Sequence, residues 1–238
     1  MTTSRTSFRI EDIMTPRSLF VSVFPDEADH APHLAEEKGF DVIPIVRKGE
    51  IADYWSRKLR KVKRITQRHR IPHNTSVEDV LARLNRHLIQ FVYYRTEVVG
   101  LVDLSDLNKP LGRLAWLQAI LECEQAIMMR ALEKNFSESE VANALGDAAK
   151  GAKTRREKAR AEDLHRSLLE FAHFRDLLKA ADALGIIEIE DHDTGRLNEL
   201  RTRLAHGVRN LVEKRTDGEE LLWGLKKCRE ILMIVQSN

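Results

Sequence analysis

The spacing of hydrophobic residues changes near residue 110 of this chain. Before that point they form short runs rich in β-branched and aromatic residues, which is typical of strands. The strands predicted from these runs are residues 19–24, 42–46, 89–94 and 98–102, with helices at 26–38 and 77–87. After residue 110 hydrophobic residues recur every three or four positions, which indicates amphipathic helices. The helices predicted there are residues 114–132, 164–184, 197–212 and 221–235.

The two patterns predict an α+β protein with two domains. The sequence Asn-Lys-Pro-Leu-Gly at 108–112 contains residues that interrupt regular structure, so we place the boundary there. Residues 1–110 then form an α/β module, and residues 111–238 form an all-α antiparallel helical bundle.

Composition, net charge and cysteine content limit the kinds of protein that this chain can be. The chain has 238 residues and a net charge of only +2, so any surface for a polyanion has to be local. Its hydrophobic runs are far shorter than the roughly 18 residues that a membrane helix needs, and we expect neither export nor membrane insertion. Cys123 and Cys228 lie in separate leucine-rich segments, which favours buried thiols in a cytoplasmic protein.

Positive charge is concentrated in two segments, residues 57–70 and residues 150–160. Either segment is able to meet phosphate groups, although such a run is also typical of a solvated surface. Both interpretations stay open at the level of the sequence.

The first half of the chain is one supersecondary unit used twice. Residues 18–55 and residues 71–107 each predict a strand, a helix, two strands and a short helix. With Ile-Met-Thr-Pro at 13–16, Val-Ile-Pro-Ile-Val at 42–46 and Val-Gly-Leu-Val-Asp-Leu-Ser-Asp-Leu at 99–107, the sequence resembles a tandem CBS (Bateman) module. The resemblance covers residues 12–108 and implies an adenine nucleotide or nucleoside as regulatory ligand, with no cofactor required.

The resemblance also implies a ligand site in the second repeat. Gly100 and Asp106 match the family pattern of a glycine followed by a ribose-binding aspartate, whose carboxylate accepts hydrogen bonds from the diol. Asp103 stands where the family has Ser or Thr, and its charge would repel phosphates unless a basic residue intervenes. A nucleoside-like ligand is therefore favoured. The alternative is that Asp106 only caps a helix and the module is a packing platform.

The second half contains one sharp motif, in which Arg201 and His206 are separated by four residues. This segment resembles the HEPN family of helical nucleotide-binding and ribonuclease domains, although Thr202 stands where another polar residue is commoner. The resemblance implies metal-independent RNA cleavage by a homodimer. A histidine with a pKa near neutrality moves a proton while a guanidinium stabilises charge on the phosphate.

Helical geometry complicates that assignment. On an ideal helix Arg201 and His206 point about 140° apart, whereas Thr202, Arg203 and Arg209 lie beside His206. Arg201 must extend around the helix, the helix must bend near Gly207, or Arg203 shares the role assigned to Arg201. We therefore take Arg201, Thr202, Arg203 and His206 as candidate catalytic residues and Arg209 as a candidate RNA contact. The alternative interpretation is purely structural: Arg201 flanks the core and pairs with an acidic residue.

These observations lead to two hypotheses about function. The first is an adenine-nucleotide-regulated, metal-independent endoribonuclease that acts as a homodimer; the apolar excess of residues 112–134 favours contact with a second copy. The second is a non-enzymatic nucleotide-sensing dimer that binds RNA or a protein partner through its helical domain. A toxin neutralised by an antitoxin protein is a third option. The histidine pairs at 30/33 and 69/73 lack further ligands, so we expect no metal site.

Overall fold

A computed structural model of the chain describes residues 8–160, 167–206 and 210–237. The chain divides into two compact units. The first unit consists of Met1–Ala115 with Val212–Glu219, and the second consists of Trp116–Leu211 with Glu220–Asn238.

Two small sheets organise the first unit. The four-stranded sheet has the strand order β1-β7-β6-β5, in which only β5 and β6 are parallel, and the three-stranded antiparallel sheet has the order β2-β3-β4. The strands are β1 (Thr15–Pro16), β2 (Val42–Arg47), β3 (Glu50–Ser56), β4 (Lys61–Arg64), β5 (Arg70–Pro72), β6 (Ile89–Tyr94) and β7 (Glu97–Asp103). The α-helices are α1 (Ala31–Lys38) and α2 (Val77–Leu84).

The second repeat folds as predicted. Its order is β5, α2, β6, β7 and a 3-10 helix over Leu104–Asn108. The N-cap of helix α2 is Ser76, whose Oγ accepts the Asp79 N–H at 3.1 Å.

The first repeat differs from the prediction in two places. The expected strand at 19–24 is wrong, since only Val23 forms an isolated bridge, to Ile45, while Leu19 and Phe24 are exposed. The expected short helix after β3 is also wrong: the chain turns at 57–60 and returns as β4 along β3. The 26–38 helix is confirmed as a 3-10 turn over Pro25–His30 that continues into α1.

Strand β3 contributes to two hydrophobic clusters of the first unit, because successive side chains of a strand point to opposite faces. Trp55 packs in the cluster formed around α1 and β2, whereas Tyr54 packs with residues of β6 and β7. The residues of the first cluster are Val23, Ala31, Ala35, Ile43, Ile45 and Trp55, and those of the second are Ile51, Tyr54, Ile65, Ile89, Phe91 and Val98.

Helices follow residue 110, and the described residues contain six rather than the four predicted. They are α3 (Pro110–Glu133), α4 (Glu138–Leu145), α5 (Ala148–Arg160), α6 (Phe174–Ala183), α7 (Asp191–Ala205) and α8 (Arg215–Ser237). The helix expected at 164–184 is shorter, as α6 begins at Phe174 after a 3-10 turn over Leu168–Phe171; residues 161–166 lie outside the described residues. The helix expected at 197–212 ends at Ala205.

Helix α3 is apolar on two faces. Trp116, Ile120, Cys123 and Ile127 are buried, with Cys228 of α8 also buried and both cysteines free, as expected. A hydrogen bond with the Cys228 thiol and burial raise the pKa of Cys123. Leucines on the other face of α3 remain exposed. Within the described part of the chain, no helix is long and apolar enough to cross a membrane.

Candidate functional site

The end of β7 places two aspartates in one hydrogen-bonded turn. Asp103 is the N-cap of the 3-10 helix over Leu104–Asn108, and its carboxylate accepts the Ser105 N–H at 2.7 Å. Asp106 returns to accept the Asp103 N–H at 2.8 Å. This reciprocal capping box orients both carboxylates. Asp106 is the third residue of this 3-10 helix, and Asp103 rather than Asp106 is its N-cap.

Lys109 neutralises the buried carboxylate of Asp106. Its Nζ lies 2.5 Å from Asp106 Oδ1, and the Thr15 hydroxyl donates to the same oxygen at 3.3 Å. The Asp106 side chain is only 5% exposed, whereas Lys109 is 41% exposed. Burial and the neighbouring Asp103 carboxylate raise the pKa of Asp106, against the lowering effect of Lys109. Burying the Asp106 carboxylate as an anion therefore costs free energy, and its hydrogen-bond and ion-pair partners offset this cost only in part.

Gly100 lets the segment at 13–16 reach this turn. Strand β1 pairs with β7 so that Thr15 lies opposite Leu101 and Pro16 opposite Gly100. A Cβ atom on Gly100 would lie 2.3 Å from the Met14 Sδ and 2.9 Å from the Thr15 carbonyl oxygen. Only glycine fits this close approach. Two of the three segments that carry the CBS resemblance therefore meet at Asp106.

Helix α7 ends at Ala205, one residue before His206. His206 is the C-cap residue, with φ −88° and ψ 88°, and its N–H donates to the Thr202 carbonyl at 3.0 Å. Its side chain is exposed. Only the ψ of His206 is far from helical values, so the chain departs from the helix after this residue. The side chain of His206 therefore still leaves the backbone close to the direction expected on a continuous helix, and the separation of about 140° from Arg201 applies approximately.

Arg201 lies at the edge of the core and is paired with an acidic residue of α3. Its Nε is 3.4 Å from Glu124 Oε1; the Arg201 side chain is 40% exposed and that of Glu124 is 17% exposed. Burial raises the pKa of Glu124, and the positive charge of Arg201 opposes this shift. The ion pair agrees with the purely structural interpretation of Arg201. It also fixes the position of a guanidinium that remains accessible to solvent.

Arg203 makes two shorter bonds that join segments of the second unit. Its Nη1 donates to Glu220 Oε2 at 2.9 Å, and its Nη2 donates to the Leu211 carbonyl at 2.7 Å. These bonds link α7 to the chain that follows it and to α8. Of the two arginines, Arg203 is thus the one engaged in holding the local fold.

The two remaining candidates differ in how far the structure describes them. Thr202 is exposed, and its hydroxyl donates to the Asn198 carbonyl at 2.8 Å, a bond within the helix that leaves the hydroxyl oxygen facing water. Arg209 lies outside the described residues. Arg201, Thr202 and His206 therefore occupy the last turn and the cap of one helix.

Three histidines of the first unit, His69, His73 and His87, have packing partners. His69 packs edge-on against Tyr54 and His87, and His73 Nδ1 lies 2.8 Å from Glu11 Oε2. Among residues 8–160, 167–206 and 210–237, no three His, Cys, Asp or Glu side chains are grouped so that they could hold a metal ion.

Glu124 and Lys109 were missed as site residues. Glu124 lies 77 positions before Arg201 on another helix, so no local signal connects them. Lys109 is three residues after Asp106, and a basic residue at that helical spacing from a buried acid is a signal that could have found it.

Comparison with known proteins yields similarity in structure only. No protein-family model matches the chain, and no curated protein matches it in sequence. A hemolysin-like protein containing a CBS domain from Oenococcus oeni PSU is 20% identical over 42% of this chain and 88% of its own, with a TM-score of 0.36. The CBS domain of a bacterial CNNM/CorC family Mg²⁺ transporter is 21% identical over 42% of this chain and 72% of its own, with a TM-score of 0.34. A conserved protein of Pyrococcus horikoshii is 20% identical over 42% of this chain and 89% of its own, with a TM-score of 0.35.

Proposed function

We propose that this protein is a nucleotide-regulated, metal-independent endoribonuclease that acts as a homodimer. The first unit, as a CBS-type module, senses an adenine nucleotide or nucleoside, and the second unit, as a HEPN-type domain, cleaves RNA.

The observation that carries the proposal is the pair of accessible groups at the end of α7. Arg201 is held at one side by Glu124 but remains 40% exposed, and His206 is exposed at the cap. Arg203 is engaged with Glu220 and the Leu211 carbonyl, which favours Arg201 as the arginine that meets phosphate. His206 then moves the proton of the attacking ribose 2′-hydroxyl, and Arg201 stabilises the charge that grows on the phosphate oxygens.

A homodimer fits the exposed face of α3. Leu114, Leu121 and Leu132 point within about 20° of one another on an ideal helix, and Leu121 and Leu132 are 49% and 55% exposed. A stripe of this kind typically marks contact with another chain. A symmetric dimer would also supply a second Arg201 and His206 to the same RNA.

The sensing role rests on Asp106 and Lys109 acting together. A ribose diol would take the place of the Thr15 hydroxyl and the Lys109 ammonium as hydrogen-bond donors to Asp106. Lys109, released but still close, would meet a phosphate and offset the repulsion from Asp103. We therefore expect a monophosphate or a nucleoside to bind better than a triphosphate. Exchange of partners by Lys109 gives two local states that a ligand is able to bias.

The proposal is tested by incubating the purified protein with total RNA in the presence of a chelator, with and without adenine nucleotides. Wild-type protein should cleave the RNA, and His206→Ala should lower the rate by about 100-fold to 10,000-fold, the usual range for loss of a general acid or base. His173→Ala removes another exposed histidine of the second unit and should have no effect. Equal rates for both variants would contradict the assignment.

A non-enzymatic regulatory dimer that binds RNA or a protein partner is the second candidate. The ion pair between Arg201 and Glu124 favours it, since a paired guanidinium has less charge to offer a phosphate. In the same assay this candidate predicts RNA retention without cleavage.

A further inference from the structure

We propose that the first unit binds nucleic acid through a basic surface that the candidate catalytic residues do not form part of. This β4 basic surface consists of β4, the turn before it and the chain that leads to β5. Its cations are Arg57, Lys58, Arg60, Lys61, Lys63, Arg64, Arg68 and Arg70.

Charge is the first observation behind this proposal. Residues 57–70 contain eight basic residues and no acidic residue, in a chain whose net charge is only +2. Within the residues that the structure describes, none of the eight forms an ion pair. A solvated face usually mixes both signs of charge. A uniform, unpaired patch is instead the electrostatic footprint of a polyanion site.

Strand geometry spreads these cations over an accessible edge. Strand β4 pairs only with β3 and so forms the edge of its sheet. Alternation places Lys61 and Lys63 on one face and Arg64 on the other. Lys58, Lys61 and Arg64 are exposed. The carboxylate in register with Arg64 belongs to Asp53, and Arg47 already holds it at 2.6 Å.

His69 and His87 are surrounded by the positive charges of this segment. The rings of His69 and His87 are 5.6 Å apart. His69 Nδ1 accepts the Thr66 N–H at 3.2 Å, and its Nε2 lies 3.4 Å from the Tyr54 hydroxyl. Burial lowers the pKa of His69, and His87, Arg68 and Lys63 lower it further. The pKa of His87 is lowered by burial, Arg68 and Arg86. All the charged groups that act on these two rings are basic.

The residue types favour nucleic acid over a lipid surface. Five of the eight cations are arginines, whose planar guanidinium binds phosphate bidentately and stacks on bases. Arg70, one of these cations, already lies 4.8 Å from the centre of the Tyr93 ring, which is an example of such stacking on an aromatic face. Leu59 and Val62 are the exposed large apolar side chains within residues 57–70, too small a set to anchor a membrane.

Binding is tested without any need for cleavage. Fluorescence anisotropy would use a labelled 2′-O-methyl oligoribonucleotide, which a ribose 2′-hydroxyl cannot cleave, and single-stranded DNA of the same sequence. The triple variant Lys58→Ala, Lys61→Ala, Arg64→Ala should lose about tenfold in affinity and about 2 units of the salt-dependence slope, since each phosphate contact contributes about 0.7 on single strands. A loss of affinity of this size for either nucleic acid in the triple variant supports the proposal, and an unchanged affinity contradicts it.

A matched control separates this surface from general electrostatics. Lys150→Ala, Lys153→Ala, Lys158→Ala removes the same charge from exposed positions of α5 and should leave the affinity nearly unchanged. Lys58→Arg, Lys61→Arg, Arg64→Lys keeps the charge and should retain binding, which guards against an unfolded alanine variant.

Three results would overturn the proposal. They are failure of the wild-type protein to bind either nucleic acid, an equal loss of affinity in the two alanine triples, and binding to phosphatidylserine vesicles without binding to nucleic acid. The two proposals remain distinguishable, because the ribonuclease is tested by cleavage in His206→Ala and this surface by the difference in affinity between the two alanine triples.

Discussion

Replacing Arg201 should lower both the stability of the fold and the rate of RNA cleavage, and the two effects have different causes. In Arg201→Ala the carboxylate of Glu124, 17% exposed, loses the cation 3.4 Å away. Arg201 is itself 40% exposed, so the pair is screened and contributes at most about 1 kcal/mol. Leaving a largely buried charge without its partner adds a further cost, and we expect a total loss of about 1 to 2 kcal/mol. That corresponds to a fall in melting temperature of roughly 2 to 8 °C for a chain of this size.

The loss should depend on pH with a definite sign. Burial raises the pKa of Glu124 in the folded protein, and Arg201 opposes the shift, so Arg201→Ala raises the folded pKa further. A carboxyl whose folded pKa exceeds its unfolded pKa stabilises the protein below the unfolded value, and this stability is lost as pH rises through the folded value. Arg201→Ala should therefore be closest to wild type in acid and weakest above the folded pKa of Glu124.

The double variant Arg201→Ala, Glu124→Gln provides the assay that separates the two roles. Removing the unpaired charge should restore the melting temperature and flatten its pH dependence, measured by circular dichroism. RNA cleavage should remain absent, because the guanidinium is still missing. If the double variant regains cleavage, Arg201 acts only through the fold. If Arg201→Ala melts like wild type at every pH, the role given to the ion pair is wrong.

Three further predictions concern neighbouring groups. Arg203→Ala should cost about 2 kcal/mol through loss of its bonds to Glu220 and the Leu211 carbonyl, and urea titration should show this loss. Asp106→Ala should weaken adenosine binding by about 1.5 to 3 kcal/mol in calorimetry, whereas a wild type that binds no adenine compound would refute the sensing role. Leu121→Glu should convert a dimer to a folded monomer in sedimentation at micromolar concentration; Leu88→Glu, on the first unit, should not, and a monomeric wild type would contradict the dimer.

Sequence patterns predicted the second repeat well because its signals are local. Helix α2 follows its N-cap Ser76, with Asp79 three residues later, and β6 and β7 contain the apolar runs 91–94 and 98–102. The capping turn at Asp103 and Asp106 is also contained within four residues. In each of these elements the backbone N–H and C=O groups find hydrogen-bond partners among residues that are close in the sequence.

The features that escaped prediction depend on distant partners. Strand β4 is almost entirely basic, with Val62 as its one apolar residue, and it forms because β3 offers an edge. The apolar run at 19–24 finds no strand to pair with beyond the bridge of Val23, so it stays irregular. The end of α7 at Ala205 interrupts a helical period that continues in the sequence; the glycine at 207 was the available signal.

Analysis of product ends tests the central claim most directly. Attack by the ribose 2′-hydroxyl on the adjacent phosphate leaves a 2′,3′-cyclic phosphate and a 5′-hydroxyl, without a metal ion. Wild-type protein in chelator should therefore give those ends from an oligoribonucleotide and leave the 2′-deoxy analogue intact, and His206→Ala should give neither product. Equal cleavage of the 2′-deoxy analogue, or full activity of His206→Ala, would contradict the ribonuclease assignment and favour the binding module.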